Sequence, residues 1–77
     1  MKNKKILFCC YRDWAISIYD NVNGEFTKLL VTDNSEVASS IKSFKPDIIF
    51  LLGWSWILPE DIVKNNLCIG LHPSDLP

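Results

Sequence analysis

Four short, mostly apolar runs constrain the fold of this chain more than any other feature of its sequence. They span residues 6–11, 26–32, 47–52 and 67–71. Short runs with a continuous apolar centre are typical of strands that are covered on both faces, as the strands of a parallel sheet are. In the segments between the runs, apolar residues recur at helical spacing, as Trp14, Ile18 and Val22 do.

The order of these segments is strand, helix, strand, helix, strand, short helix, strand. It predicts an α/β fold, in which a Rossmann-like parallel sheet of about four strands has flanking helices. Among doubly wound sheets the order 3-2-1-4 is common, and we expect the fourth strand to lie beside the first. The topological switch point would then bring residues 11–14 and 72–74 together and place His72 opposite Arg12.

Polar residues predict where the helices begin and end. Asp13 is expected to cap the first helix. Asp33 and Glu36 have the spacing of a capping box at the start of the second. That helix should end before Pro46, because the residue preceding a proline avoids helical geometry.

Composition limits the classes of function. The chain has 77 residues, enough for one small domain, and a net charge of −1 without a basic patch, which does not support nucleic-acid binding by a charged surface. Its cysteines lack CxxC spacing, and Cys9 and Cys10 should point to opposite faces of a strand, so we expect buried thiols. Arg12 and Asp13 end the first apolar run far short of a signal peptide or membrane span, which predicts a cytoplasmic protein.

The last apolar run leads directly to His72, the single histidine of the chain. Pro73 fixes the backbone immediately after it. An imidazole at the end of a strand could accept a proton from an attacking amine or donate a hydrogen bond to a developing oxyanion. The first strand is not followed by the glycine-rich fingerprint of a dinucleotide site, and the sequence contains no P-loop, metal-ligand cluster or nucleophile elbow.

Two segments of the chain resemble the folate-dependent formyltransferases. Residues 47–59 run Asp-Ile-Ile-Phe-Leu-Leu-Gly-Trp-Ser-Trp-Ile-Leu-Pro, and residues 68–77 run Cys-Ile-Gly-Leu-His-Pro-Ser-Asp-Leu-Pro. The first is similar to the strand and Ile-Leu-Pro-like turn of that family, and the second to its Asn-x-His motif and following loop. The Gly-Trp-Ser-Trp-Ile-Leu-Pro stretch is most similar to the family members that formylate amino sugars.

The resemblance implies that residues 1–77 are the amino-terminal portion of a formyltransferase catalytic domain, ending after the His-Pro-Ser motif. The parent enzyme is expected to transfer a formyl group from formyltetrahydrofolate to an amine, whereas this chain alone should be inactive. The expected partner is a small molecule, a nucleotide-linked amino sugar. The alternatives are an enzyme similar to methionyl-tRNA formyltransferase, with a tRNA acceptor, or a non-catalytic α/β binding module.

The resemblance also assigns roles to individual residues. His72 matches the catalytic histidine of the family. Trp54, Ile57 and Leu58 match the region that lines its pterin pocket, although ordinary core packing would explain the same residues. Arg12 could contact a phosphate of the acceptor across the crevice, or form a surface ion pair.

The motif departs from the family at Gly70, which occupies the position of the catalytic asparagine. A glycine offers no amide to polarise a formyl carbonyl, so another group must replace it or activity is weak. Because the strands that would cover it are expected to lie beyond this portion of the domain, the fourth strand should also be an open sheet edge in the 77-residue chain, which favours self-association.

Overall fold

The computed structural model describes residues 4–71, which fold into a four-stranded parallel sheet with helices on both faces. The predicted α/β, Rossmann-like architecture is confirmed. A 3-10 turn, Asn34–Glu36, leads into the second helix. The strands and α-helices are β1 Lys4–Cys9, α1 Asp13–Asn21, β2 Phe26–Val31, α2 Val37–Phe44, β3 Ile48–Leu52, α3 Glu60–Asn65 and β4 Leu67–Leu71.

The strand order is β2-β1-β3-β4, so the expected order 3-2-1-4 is wrong. The connection through α2 crosses β1 and delivers β3 to its far side, where Leu7 pairs with Ile49. The next connection contains only the six-residue α3. It is too short to carry the chain back across the sheet, and β4 therefore pairs with β3, Phe50 opposite Ile69. The observed order is that of the flavodoxin-like branch of doubly wound folds.

Alternate residues of β1, and Cys10 directly after it, supply the two halves of the core. Leu7 and Cys9 point toward α2 and α3, whereas Phe8 and Cys10 point toward α1. The larger half comprises Leu7, Cys9, Val31, Val37, Ile49, Trp54 and Leu58. The smaller half comprises Phe8, Cys10, Ala15 and Leu52, with Phe50 stacked on Phe8 at 5.4 Å between ring centroids.

Cys9 and Cys10 have the placement that the sequence predicts, whereas Cys68, also expected to be buried, is only partly buried. Cys9 and Cys10 are free, fully buried and on opposite faces of the sheet. Burial, reinforced by Cys10 and Cys68, raises the pKa of Cys9 to about 12. Burial, reinforced by Asp20, raises the pKa of Cys10 to about 11. Both thiols are therefore protonated at neutral pH and lack the thiolate that nucleophilic chemistry needs.

The helix boundaries differ from expectation in detail. Asp13 is the first residue of α1, and Arg12 occupies the N-cap without a side-chain hydrogen bond. Asp33 accepts hydrogen bonds from the backbone N–H and the hydroxyl of Ser35, both at 3.0 Å, and so caps the 3-10 turn. The helix α2 ends at Phe44, as predicted from Pro46. Among residues 4–71, no helix is long and apolar enough to cross a membrane.

Candidate functional site

The candidate site lies at the carboxyl ends of β1 and β3. The chain leaves β1 toward β2 on one side, and β3 occupies the other side, so the topological switch point falls between these two strands. In open α/β sheets this is where ligands bind. The segments that meet there are residues 10–12, after β1, and residues 53–56, after β3.

Three aromatic rings connect the two segments. The ring centroid of Tyr11 lies 5.9 Å from that of Trp54 and 5.3 Å from that of Trp56, and both pairs are in edge-to-face contact. The ring centroids of Trp54 and Trp56 lie 4.9 Å apart. The hydroxyl of Tyr11 also forms a hydrogen bond with the hydroxyl of Ser55. These contacts hold the loop after β3 against the end of β1, and Trp56 remains 45% exposed at the surface of the cluster.

Gly53 turns the chain out of β3 into this cluster. Its φ of 63° lies in the left-handed region, which glycine adopts without steric cost. Its N–H donates a 2.9 Å hydrogen bond to the carbonyl of Leu71 at the end of β4. The turn is thus fixed both by backbone geometry and by the neighbouring strand.

The three residues expected to line a pterin pocket do not share one surface. Trp54 is 5% exposed and Leu58 is 7% exposed, and both belong to the core half that contacts α2 and α3. Ile57 is 95% exposed. Core packing therefore accounts for Trp54 and Leu58, whereas it gives no reason for the apolar side chain of Ile57. A role in donor binding stays a prediction for all three.

Trp54 also carries an unusual polar group. Within residues 4–71 its indole Nε1–H is buried and has no hydrogen-bond partner. A buried donor without a partner costs about 1–3 kcal/mol. Such a group calls for an explanation, and a place near a functional site is one of them.

Arg12 lies at the switch point, at the N-cap of α1. Its guanidinium lies over the ring of Tyr11, 5.3 Å from the ring centroid, and the residue is exposed. Arginine stacked in this way keeps its hydrogen-bond donors free for an anion. Contact with a phosphate of the acceptor stays a prediction.

His72 lies outside the described residues, and its catalytic role stays a prediction. The expectation that it faces Arg12 depended on β4 lying beside β1. Because β3 separates these strands, the segment opposite Arg12 is the loop after β3. Two residues before His72, a Cβ placed on Gly70 would have the Leu51 carbonyl oxygen, at 4.0 Å, as its nearest neighbour. A Cβ at that position would make no close contact within residues 4–71.

Sequence reasoning did not identify Tyr11, Ser55 or Trp56 as parts of one cluster. The sequence does place all three residues directly after strands, since Tyr11 follows β1 and the other two follow β3. Only the strand order makes these strands neighbours at the switch point, and the order was predicted wrongly.

Comparison with curated proteins finds similarity to methionyl-tRNA formyltransferases. The enzyme of Rickettsia bellii is 39% identical over 46 residues, which cover 57% of this chain and 15% of the relative. The enzyme of Francisella tularensis subsp. novicida is 30% identical over 78 residues, which cover 99% of this chain and 24% of the relative. The chain matches no protein-family model, and no solved structure is significantly similar to it.

The chain thus spans about a quarter of the length of the Francisella relatives. The expected nucleotide-sugar partner is contradicted, because these relatives are named for methionyl-tRNA as the group they formylate. The similarity supports a formyltransferase family for this chain.

Proposed function

We propose that residues 1–77 form the amino-terminal portion of a formyltransferase catalytic domain that acts on methionyl-tRNA. The observation that carries the proposal is the alignment of 99% of the chain with an enzyme of that name. The proposed formyl donor is formyltetrahydrofolate, and the proposed acceptor is the α-amino group of the methionine. A cytoplasmic location is part of the proposal, and the free thiols of Cys9, Cys10 and Cys68 are consistent with a reducing compartment.

The proposed reaction is the transfer of a formyl group between two nitrogen atoms. The acceptor amine attacks the formyl carbon, a C–N bond to the acceptor forms, and the C–N bond to the donor breaks. The amine loses one proton and the donor nitrogen gains one. His72 is the proposed general base for the amine or hydrogen-bond donor to the oxyanion of the addition step.

The switch point supports the proposed binding of both substrates. On the β3 side, Ile57 offers an exposed apolar surface that an aromatic donor such as a pterin can use. On the β1 side, the exposed guanidinium of Arg12 can pair with a phosphate of the acceptor.

Gly70 favours a second candidate, a non-catalytic α/β binding module. It stands where the family has a catalytic asparagine, and the nearest non-neighbouring atom to a Cβ placed there is the Leu51 carbonyl oxygen, at 4.0 Å within residues 4–71. A chain that needs this amide for chemistry would therefore recover activity on Gly70→Asn. A binding module would not.

The proposal is tested with a chimeric enzyme in which residues 1–77 replace the aligned first quarter of the Francisella enzyme. Formylation of methionyl-tRNA is measured with formyltetrahydrofolate as donor, beside the unaltered Francisella enzyme. We expect measurable formylation that rises with Gly70→Asn, and none from the 77-residue chain alone. A folded chimera that is inactive with either residue at position 70 would overturn the proposal and favour the binding module.

A further inference from the structure

The connection between α1 and β2 contains the pair Asn23-Gly24. Residues 22–25 belong to neither a helix nor a strand, and residues 23–25 are exposed. The fold favours glycine at position 24, because a Cβ placed there would lie 2.9 Å from Cε2 of Phe26 and the ring would have to move. Packing against β2 therefore keeps a glycine directly after Asn23.

An asparagine followed by a glycine is chemically labile. The backbone nitrogen of the glycine can attack the side-chain carbonyl of the asparagine, since glycine has no side chain that hinders the approach. Asparagine is accordingly one of the thermolabile residues that hyperthermophilic proteins use sparingly. A folded protein permits the attack where the backbone N–H and the side-chain amide are loosely held, because groups that are bonded in the native state react after local opening.

Both reacting groups of the pair are loosely held. Within residues 4–71, no hydrogen bond is found for the backbone N–H of Gly24. The side-chain Nδ2 of Asn23 donates to the carbonyl of Asn21 at 3.5 Å. That distance lies beyond the usual range for such a bond, so the contact restrains the side chain little. The nitrogen of Gly24 and the amide carbon of Asn23 can therefore approach each other without local unfolding.

The other asparagines of residues 4–71 are held by hydrogen bonds. Asn34 is the closest match by sequence, because a small residue follows it, but the N–H of Ser35 donates a 3.0 Å bond to the Asp33 carboxylate. After Asn21, the N–H of Val22 donates a 3.0 Å bond to a carbonyl of α1. The side-chain amides of the remaining pair donate to carbonyls of α3 at 2.7 and 2.9 Å, from Asn65 and Asn66 respectively.

We propose that Asn23 is a site of spontaneous deamidation. The nitrogen of Gly24 forms a bond to Cγ of Asn23, and the bond from Cγ to Nδ2 breaks. The proton lost by the Gly24 nitrogen passes to Nδ2, which leaves as ammonia, and a succinimide ring remains. Water then opens the ring. Attack at Cγ gives aspartate, and attack at the backbone carbonyl gives isoaspartate. Water is consumed and ammonia is released.

Both products change the end of α1. Each adds a negative charge beside the carboxyl end of the helix, where carboxylates are unfavourable. Lys28 holds this end to β2, because its Nζ donates to the carbonyls of Tyr19 and Val22. A new carboxylate competes with these carbonyls for the ammonium group, and isoaspartate also lengthens the backbone of the connection. Deamidation is therefore expected to weaken the attachment of α1 to β2.

Mass spectrometry of tryptic peptides tests the proposal after the chain is incubated at mildly alkaline pH, in buffer and in urea. Cleavage after Lys28 places Asn23 and Asn34 in separate peptides, and conversion of an amide to an acid raises the mass of each. We expect the rate at Asn23 in buffer to be within about threefold of its rate in urea, whereas the rate at Asn34 should be at least about tenfold lower in buffer. Equal protection of Asn23 and Asn34 in buffer would overturn the proposal.

Asp33→Ala is the matched variant, because it removes the acceptor of the Ser35 N–H and leaves the α1–β2 connection unaltered. It should raise the rate at Asn34 in buffer and leave the rate at Asn23 unchanged. An unchanged rate at Asn34 would contradict the argument that hydrogen bonding of the attacking nitrogen controls the reaction.

Gly24→Ala tests the ring closure itself, whether or not the variant folds. The added Cβ hinders the attack, so the rate at Asn23 should fall at least about tenfold in buffer and in urea alike. A rate equal to that of the parent would mean that water hydrolyses the amide directly, and the proposed reaction would be wrong.

Discussion

Gly53 packs directly against Trp14. A Cβ placed on Gly53 would lie 2.7 Å from Cζ2 of the Trp14 ring, closer than real contacts allow, and the φ of this residue is 63°. The turn that begins the candidate site therefore depends on glycine for both its backbone conformation and its packing. Trp14 belongs to α1 and Gly53 follows β3, so this contact links the helix to the switch point.

Gly53→Ala should therefore lower the free energy of unfolding by about 2 kcal/mol or more, since the left-handed conformation alone costs an alanine about 1–2 kcal/mol. Gly70→Ala is the matched control, because a Cβ there would make only an ordinary van der Waals contact, 4.0 Å from the Leu51 carbonyl oxygen, and it should change stability by less than about 0.5 kcal/mol. Urea unfolding at equal protein concentration measures both. Similar midpoints for the two variants would mean that Trp14 yields easily and that the turn tolerates a side chain.

Ile57 and Leu58 are neighbours in sequence, but Ile57 is exposed and Leu58 is buried. Substituting each one therefore distinguishes an effect on substrate binding from an effect on stability. Leu58 is buried, and Leu58→Ala should cost about 2–5 kcal/mol of stability. Ile57 is 95% exposed, and Ile57→Ala should change stability by less than about 0.5 kcal/mol.

In the chimeric enzyme, Ile57→Ala should raise the KM for formyltetrahydrofolate several-fold while kcat changes little. The measurement is donor-dependent formylation together with urea unfolding of the same samples. An unchanged KM would remove Ile57 from the donor site and leave its exposure without a functional explanation.

Lys45, the C-cap residue directly after α2, adopts the left-handed conformation with a φ of 54°. Lys45→Gly should raise the free energy of unfolding by about 0.5–1 kcal/mol, because the relief of strain exceeds the entropic cost of glycine. Lys42→Gly, in the exposed part of the same helix, should instead lower it by about 0.5–1 kcal/mol. Thermal unfolding distinguishes the two signs, and a loss of stability in both variants would show that Lys45 is not strained.

The capping carboxylate of Asp33 gives the fold a dependence on pH. Hydrogen bonds from the backbone and side chain of Ser35 lower the pKa of Asp33 below its usual 3.8. A carboxyl group with a depressed pKa in the folded state stabilises the protein above the unfolded pKa, and this stabilisation is lost as the pH falls through the folded pKa. Asp33→Asn should therefore flatten part of the loss of stability below about pH 4. Urea midpoints between pH 2 and pH 7 test this, and parallel pH profiles for both proteins would refute it.

The sequence predicted the elements of the fold well because each one is set by local patterning. The apolar run of β3 and the stop signal of Pro46 act over a few residues. Strand order depends instead on how far a connection can reach across the sheet. The crossover through α2 passes β1, and the short connection through α3 cannot pass β3, so the switch point lies between β1 and β3.

The candidate site was accordingly predicted in part. Arg12 follows β1 at the switch point, but that point lies between β1 and β3, and the neighbours of Arg12 are Tyr11 and Gly53. The burial of Trp54 could not be read from its motif, because an aromatic residue after a strand can fill a core or line a pocket. The choice between a core position and a pocket position depends on how the helices pack against each face of the sheet.

The central proposal is that residues 1–77 belong to a formyltransferase in which His72 performs chemistry. It is tested most directly by kcat/KM and urea midpoint of the chimeric enzyme carrying His72→Ala, with Ile49→Ala as the matched control. Ile49 is fully buried in β3, so its truncation should cost about 2–5 kcal/mol of stability. His72→Ala should cost about 3–5 kcal/mol of transition-state stabilisation and only about 1 kcal/mol of stability. If His72→Ala retains parental kcat/KM, or unfolds the chimera as severely as Ile49→Ala does, the histidine is structural and the catalytic assignment is wrong.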